Sequence, residues 1–140
     1  VASADGGLVR VDPKNGSIVW SVDVGGANNL LMHEGVLYVS GSGILSAVRA
    51  DEGNILWRQD FETPEISAPV YGKNSLAVVT TTDRLHLVDP QTGDVMLSRY
   101  VRKGSLGDPV MIGEEISVLA NTSRLMTFKI REFSPKKKRK

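Results

Sequence analysis

The sequence has no cysteine, few aromatic residues and no long apolar run. Only 6% of the 140 residues are aromatic, and no apolar stretch reaches the roughly 18 to 20 residues that a membrane-spanning helix needs. The lack of cysteine excludes disulfides and thiolate metal sites. Apolar residues at helical spacing are missing as well. With 41% hydrophobic and 24% charged residues, the chain has the composition of one globular domain.

Positive charge is concentrated at the C-terminus. The chain ends on Lys136, Lys137, Lys138, Arg139 and Lys140. The rest of the chain has 12 basic and 16 acidic residues, so the net charge of +1 divides into +5 in the tail and −4 in the body. A negative body does not favour nucleic acid as the main ligand. The tail "SPKKKRK" (134–140) resembles a nuclear localisation signal and would also suit an anionic surface, but its simplest interpretation is a solvated terminus.

A motif of fourteen residues occurs three times along the chain in similar form. The copies are "GLVRVDPKNGSIVW" (7–20), "ILSAVRADEGNILW" (44–57) and "RLHLVDPQTGDVML" (84–97). Their turn glycines, Gly16, Gly53 and Gly93, are 37 and 40 residues apart, and a shortened fourth copy, "RLMTFKI", begins at Arg124. Self-similarity at this period is the signature of a repeat architecture.

Each repeat is predicted to form four short β-strands. Runs such as "VLYVS", "SLAVV" and "EISVL" are rich in β-branched and apolar residues and are separated by Gly, Asn and Asp. In the first copy Asp12 can cap the turn, Pro13 fixes φ near −65°, and Gly16 can adopt a positive φ. The middle copy keeps only Gly53 of these three, so the glycine is the essential member of the turn.

Two columns of the repeat predict which faces are buried. Leu8 and Val11 are three positions apart, as are Leu45 and Val48, Leu85 and Val88, and Leu125 and Phe128. An odd separation puts side chains on opposite faces of a strand, so both faces are covered. Without helices, the repeats must cover one another, as the blades of a β-propeller do. Trp20 and Trp57 are then expected to pack against a neighbouring blade and not to stack on a ligand.

The fold class is therefore all-β, a β-propeller of four-stranded antiparallel blades, of which about three and a half are present. We expect the partial propeller to cover residues 1–133 and the basic tail residues 134–140. The predicted repeats run over about 1–26, 27–63, 64–103 and 104–133. Open ends would leave unpaired strand edges, so we expect a C-terminal fragment of a larger propeller that is prone to self-association.

The pattern G-x-L-x-A-[VL]-D-x-x-[TN]-G-x-[IV]-x-W resembles the repeat of the quinoprotein-like (PQQ-like) propellers. Over residues 1–130 the order of the repeats is most similar to the last blades of the propeller lipoproteins of the bacterial outer-membrane β-barrel assembly machinery. This resemblance implies a scaffold without enzymatic activity or cofactor. It also implies a periplasmic location peripheral to the outer membrane, with the barrel-inserting subunit and nascent barrel proteins as partners.

Two segments between blades are candidates for partner contacts. "ETPEIS" (62–67) contributes Glu62 and Glu65, and "RKGSLG" (102–107) contributes Arg102 and Lys103. Exposed loops on a rigid scaffold are where partner recognition usually lies.

No catalytic, cofactor-binding or metal-binding motif is present in the sequence. His33 and His86 occupy unrelated repeat positions, and neither forms part of a recognisable triad. We interpret His33 as a turn residue and His86 as a partly exposed strand residue. Two alternatives remain open. The chain could be a fragment of a PQQ-dependent dehydrogenase, or a nuclear or nucleic-acid-associated propeller that uses its basic tail.

Overall fold

Thirteen β-strands make up the computed structural model, which describes residues 1–3, 5–105 and 107–130. In that part of the chain there is no helix that could cross a membrane. The basic tail lies outside the described residues. The strands are β1 (Gly7–Val11), β2 (Ile18–Asp23), β3 (Asn29–His33), β4 (Val36–Gly41), β5 (Ile44–Arg49), β6 (Ile55–Asp60), β7 (Val70–Gly72), β8 (Ser75–Val79), β9 (Arg84–Val88), β10 (Val95–Tyr100), β11 (Val110–Ile112), β12 (Glu115–Ala120) and β13 (Arg124–Lys129).

The strands form four antiparallel sheets in which each strand pairs with the next along the chain. Sheet 1 contains β1 and β2, sheet 2 contains β3 to β6, sheet 3 contains β7 to β10, and sheet 4 contains β11 to β13. Two complete four-stranded sheets are thus flanked by two partial ones. The predicted fold class, a partial β-propeller of four-stranded blades, is confirmed.

Three apolar cores lie between the four sheets. Leu8 of sheet 1 shares a core with Val48 of sheet 2, and Leu45 of sheet 2 shares the next core with Val88 of sheet 3. Leu45 and Val48, three residues apart on one strand, therefore face opposite neighbours, as an odd spacing requires. Both are completely buried. The predicted burial of both faces is confirmed for the complete sheets.

The same columns become exposed where no neighbouring sheet follows. Leu8, Leu45 and Leu85 are at most 3% exposed, whereas Leu125 of sheet 4 is 70% exposed. Val11, on the outer face of sheet 1, is 38% exposed. Burial in this fold is therefore supplied by a neighbouring repeat, the following one for the leucine column and the preceding one for the valine column.

Each tryptophan joins its sheet to the following one. The indole Nε1 of Trp20 donates a hydrogen bond to the carbonyl of Ala50 at 3.0 Å, and that of Trp57 donates to the carbonyl of Pro90 at 2.9 Å. Burial of an aromatic body with its polar N–H satisfied is the arrangement that stabilises such a side chain. The predicted packing of both tryptophans on a neighbouring blade is observed.

The turn glycines lie directly beneath these indole rings. A Cβ added to Gly53 would lie 2.5 Å from Cδ2 of Trp20, and one added to Gly93 would lie 2.5 Å from Cε3 of Trp57. Among the described residues, nothing lies within 4 Å of a Cβ added to Gly16, in the equivalent turn of sheet 1. Gly53 and Gly93 therefore serve two needs, a positive φ and the close approach of a ring.

Candidate protein-binding surfaces

The antiparallel sheets present two opposite rims. One rim, here called the hairpin rim, carries the turns between the first and second and between the third and fourth strands of each sheet. The other, the connection rim, carries the links between consecutive sheets and the turns between second and third strands. Loops fixed at the ends of rigid strands are well placed to bind partners.

The connection rim holds all four residues that the sequence proposes for partner binding. Glu62 and Glu65 are exposed on the link between β6 and β7, while Arg102 and Lys103 are exposed on the link between β10 and β11. The structure thus places two carboxylates and two cations on neighbouring links of one rim. Their role in binding stays a prediction.

These links are held in place by hydrogen bonds to neighbouring segments. The carboxylate of Asp60 accepts the backbone N–H of Glu62 at 2.8 Å, and the Nδ2 of Asn121 donates to the carbonyl of Lys103 at 2.8 Å. Ser105 is buried, and its hydroxyl donates to the carbonyl of Leu119 at 2.7 Å. The backbone of both links is therefore tied to neighbouring segments by hydrogen bonds.

The hairpin rim contains a feature that the sequence analysis did not predict, a cavity of about 800 Å³ between sheets 2 and 3. We call it the trench. It is lined by His33, Glu34, Val36, Tyr38, Arg49 and Leu56 of sheet 2 and by Tyr71, Asn74, Asp89, Pro90 and Gln91 of sheet 3. The imidazole of His33 stacks on the ring of Tyr71 with centroids 3.7 Å apart. His33 is the last residue of β3 and not, as the sequence suggested, a turn residue.

The phenol of Tyr38 lies near two carboxylates that line the trench, those of Glu34 and Asp89. Its pKa is raised above 10.0, first because the ring is buried and then because Tyr71, Glu34 and Asp89 lie nearby. Negative charge opposes removal of a proton from the hydroxyl. Burial and the nearby carboxylates therefore both favour the neutral phenol of Tyr38.

His86 lies at the interface between sheets 2 and 3. Its Nδ1 is 2.7 Å from the hydroxyl of Ser98, and its ring centroid is 4.9 Å from that of Phe61. The pKa of His86 is lowered from 6.5, first by burial and then by the charge of Arg84. The interpretation as a partly exposed strand residue is confirmed, and the neutral imidazole is the form that the fold favours.

The pKa of His86 predicts how stability depends on pH. Because the unfolded chain binds the proton first, the stability associated with neutral His86 is present above pH 6.5 and is lost as the pH falls towards the lowered pKa of the folded state. Urea unfolding of the unchanged protein at several pH values should show this loss, and His86→Gln should reduce it. His33→Gln is the matched control and should retain it. An NMR titration that gives His86 a pKa at or above 6.5 in the folded protein would contradict the prediction.

No group of three or more His, Cys, Asp or Glu side chains that could hold a metal ion occurs in residues 1–3, 5–105 and 107–130. The adjacent Asp51 and Glu52 are exposed residues of the turn between β5 and β6. The hydrogen bonds of Trp20 and Trp57 described above join one repeat to the next.

Repeated antiparallel sheets that bury each other's faces, with a tryptophan of one repeat on a glycine of the next, define a PQQ-like β-propeller protein. Residues 41–132 match the family model described as outer membrane protein assembly factor BamB. The chain belongs to this family.

Individual relatives agree with the family. The outer membrane protein assembly factor BamB of Yersinia pestis is 27% identical over 127 residues, which cover 89% of this chain and 32% of the relative. The chain thus spans about a third of the length of that relative. The crystal structure of BamB from Moraxella catarrhalis superimposes with a TM-score of 0.77 at 17% identity, over 92% of this chain and 45% of that chain.

Likeness to a dehydrogenase also exists, but only in the fold. The quinohemoprotein alcohol dehydrogenase from Comamonas testosteroni superimposes with a TM-score of 0.60 at 18% identity, over 66% of this chain and 17% of that chain. Such low identity carries no activity from one protein to the other.

Proposed function

We propose that the chain is a protein-binding part of an outer-membrane protein assembly factor, acting as a scaffold without catalysis. The observation that carries the proposal is the family match over residues 41–132, supported by the named function of the relatives. On this proposal the protein works in the periplasm next to the outer membrane. Its partner is the barrel-inserting subunit of the assembly machinery.

The connection rim is the surface that we propose for this partner. Its two links offer opposite charges, Glu62 and Glu65 on one and Arg102 and Lys103 on the other. A partner with the complementary order of charges would be oriented on the rim, because electrostatic complementarity fixes register and speeds association.

The outer strands offer a second mode of contact, to the client proteins. β6 and β10 are the last strands of their sheets, and Leu56 and Met96 on them are 41% and 50% exposed. An extended segment of a nascent barrel protein could add to such an edge through backbone hydrogen bonds. The proposed scaffold would thus hold client strands near the barrel-inserting subunit.

Reversal of the rim charges tests the proposed contact. The double variants Glu62→Lys with Glu65→Lys and Arg102→Glu with Lys103→Glu should each weaken binding to the purified barrel-inserting subunit by about tenfold or more, mainly through a slower association rate. Surface plasmon resonance at two salt concentrations would measure this. The control is Lys14→Glu with Glu52→Lys, a charge reversal at exposed positions of the hairpin rim, which should leave binding unchanged. No binding by the unchanged protein would refute the proposed function itself.

The two alternatives from the sequence gain no support. The dehydrogenase likeness is one of fold alone, and the basic tail of the nuclear alternative lies outside the described residues.

A further inference from the structure

The trench on the hairpin rim lies between the two complete sheets, on the side opposite the connection rim. Its volume of about 800 Å³ falls within the range of roughly 300 to 1,000 Å³ that is usual for ligand sites. Stacked rings of His33 and Tyr71 form part of its wall. The trench is therefore large enough to receive a side chain from outside.

Its charges favour a cation. Glu34 lies at the lip, with its carboxylate 3.8 Å from Nε2 of His33 and its side chain 85% exposed. Asp89 is half-buried on the opposite wall, where its carboxylate accepts the N–H of Gln91 at 2.8 Å. Within the described part of the chain, Arg49 forms an ion pair with neither carboxylate. Two carboxylates, one of them 3.8 Å from the His33 imidazole, thus line the trench together with aromatic rings and Arg49.

The next junction shows what the repeat does when it supplies the cation itself. Glu34 and Lys73 are equivalent residues, because each is the first residue of the turn after the first strand of its sheet, β3 or β7. Their φ values are 47° and 48°. Between sheets 3 and 4, the Nζ of Lys73 lies 2.7 Å from Oε1 of Glu114. Between sheets 2 and 3, the equivalent pair is Glu34 and Asn74. The repeat therefore places the ammonium group of Lys73 at the junction of sheets 3 and 4. At the junction of sheets 2 and 3, the equivalent position carries the carboxylate of Glu34.

We propose that the trench binds an arginine side chain from an extended segment of a partner protein. The guanidinium would pair with Glu34 and Asp89, since charge-assisted hydrogen bonds to carboxylates are the strong ones. Its planar face would stack on the rings that line the trench. This site is separate from the connection rim, and it depends on neither the family nor the partner proposed above.

The two tryptophans provide a local probe and an internal reference for this binding. The indole N–H of Trp57 is bonded to the carbonyl of Pro90, a residue of the trench wall. That of Trp20 is bonded to Ala50, which follows the trench residue Arg49 but does not itself line the trench. In NMR spectra of the protein, an acetylated and amidated Gly-Ser-Arg-Ser-Gly peptide should shift the Trp57 indole signal more than the Trp20 signal. The same peptide with citrulline, which is neutral, should shift neither. Equal shifts with both peptides, or of both indoles, would overturn the proposal.

Charge variants give effects of opposite sign. Glu34→Gln should weaken binding of the arginine peptide at least threefold, and Arg49→Gln should strengthen it at least threefold by removing a like charge from the trench. Glu52→Gln, an exposed residue outside the trench, should change nothing. A Glu34→Gln variant that binds as well as the unchanged protein would overturn the proposal.

The basic tail has the same chemistry as the proposed ligand and must be distinguished from it. The chain with residues 136–140 replaced by glutamine should bind the arginine peptide with unchanged affinity if the ligand comes from a partner. Tighter binding after this replacement would show that the tail itself competes for the trench, and would overturn the assignment to a partner.

Discussion

Replacing Gly93 by alanine is expected to lower the free energy of unfolding by about 2 to 5 kcal/mol. Gly93 has a φ of 80°, a left-handed conformation that costs a residue with a Cβ about 1–2 kcal/mol. The new Cβ would also lie 2.5 Å from Cε3 of Trp57, and forcing such a contact into a packed interface costs about 1–3 kcal/mol more. Urea unfolding followed by tryptophan fluorescence would measure the loss.

Gly16→Ala is the matched control, because it isolates the backbone cost. Gly16 has a φ of 73° in the equivalent turn, but an added Cβ meets nothing within 4 Å. Its alanine variant should lose only the strain of about 1–2 kcal/mol. The steric part should also depend on the ring. In a background of Trp57→Leu, the side chain that sheet 3 has at this position in Leu97, Gly93→Ala should cost about as much as Gly16→Ala. Equal losses for Gly16→Ala and Gly93→Ala in the unchanged background would refute the double role of the glycine.

The double role of Gly93 shows which features of the fold can be predicted from the sequence and which cannot. The recurrence of Gly16, Gly53 and Gly93 is enough to predict a positive φ in each turn, because that requirement is local. The contact between Trp57 and Gly93 joins residues 36 positions apart in different sheets, and only the stacking of one repeat on the next brings them together. The radial fold was predictable from the two apolar columns, since their opposite faces leave no other cover for the sheets.

The connection rim and the trench also differ in how far the sequence predicts them. Repeat spacing alone places Glu62 and Arg102 on equivalent links, so their common rim could be expected. The trench was missed because it arises from a difference between two junctions, Glu34 and Asn74 at one and Lys73 and Glu114 at the other. Aligning the short turns after the first strand of each sheet would have revealed the exchange of a cation for a carboxylate. The shape of the trench also needs the stack of His33 on Tyr71, which no local pattern encodes.

Leu45→Ala is expected to lower the free energy of unfolding by about 3–5 kcal/mol, as truncation of a fully buried leucine does when the cavity cannot collapse. Leu45 is 0% exposed in the core between sheets 2 and 3. Leu125→Ala, at the same position of the repeat, should change stability by no more than about 0.5 kcal/mol, because Leu125 is 70% exposed.

The comparison of Leu45 with Leu125 is controlled by the repeat itself. Each leucine is the second residue of the third strand of its sheet, in β5 and β13, so both variants make the same change in strand propensity. Any difference in their urea unfolding midpoints then reports only the presence of a following sheet. Comparable losses for the two variants would mean that the leucine column stabilises each strand within its own sheet. In that case the face-to-face stacking of repeats could not be what holds this propeller together.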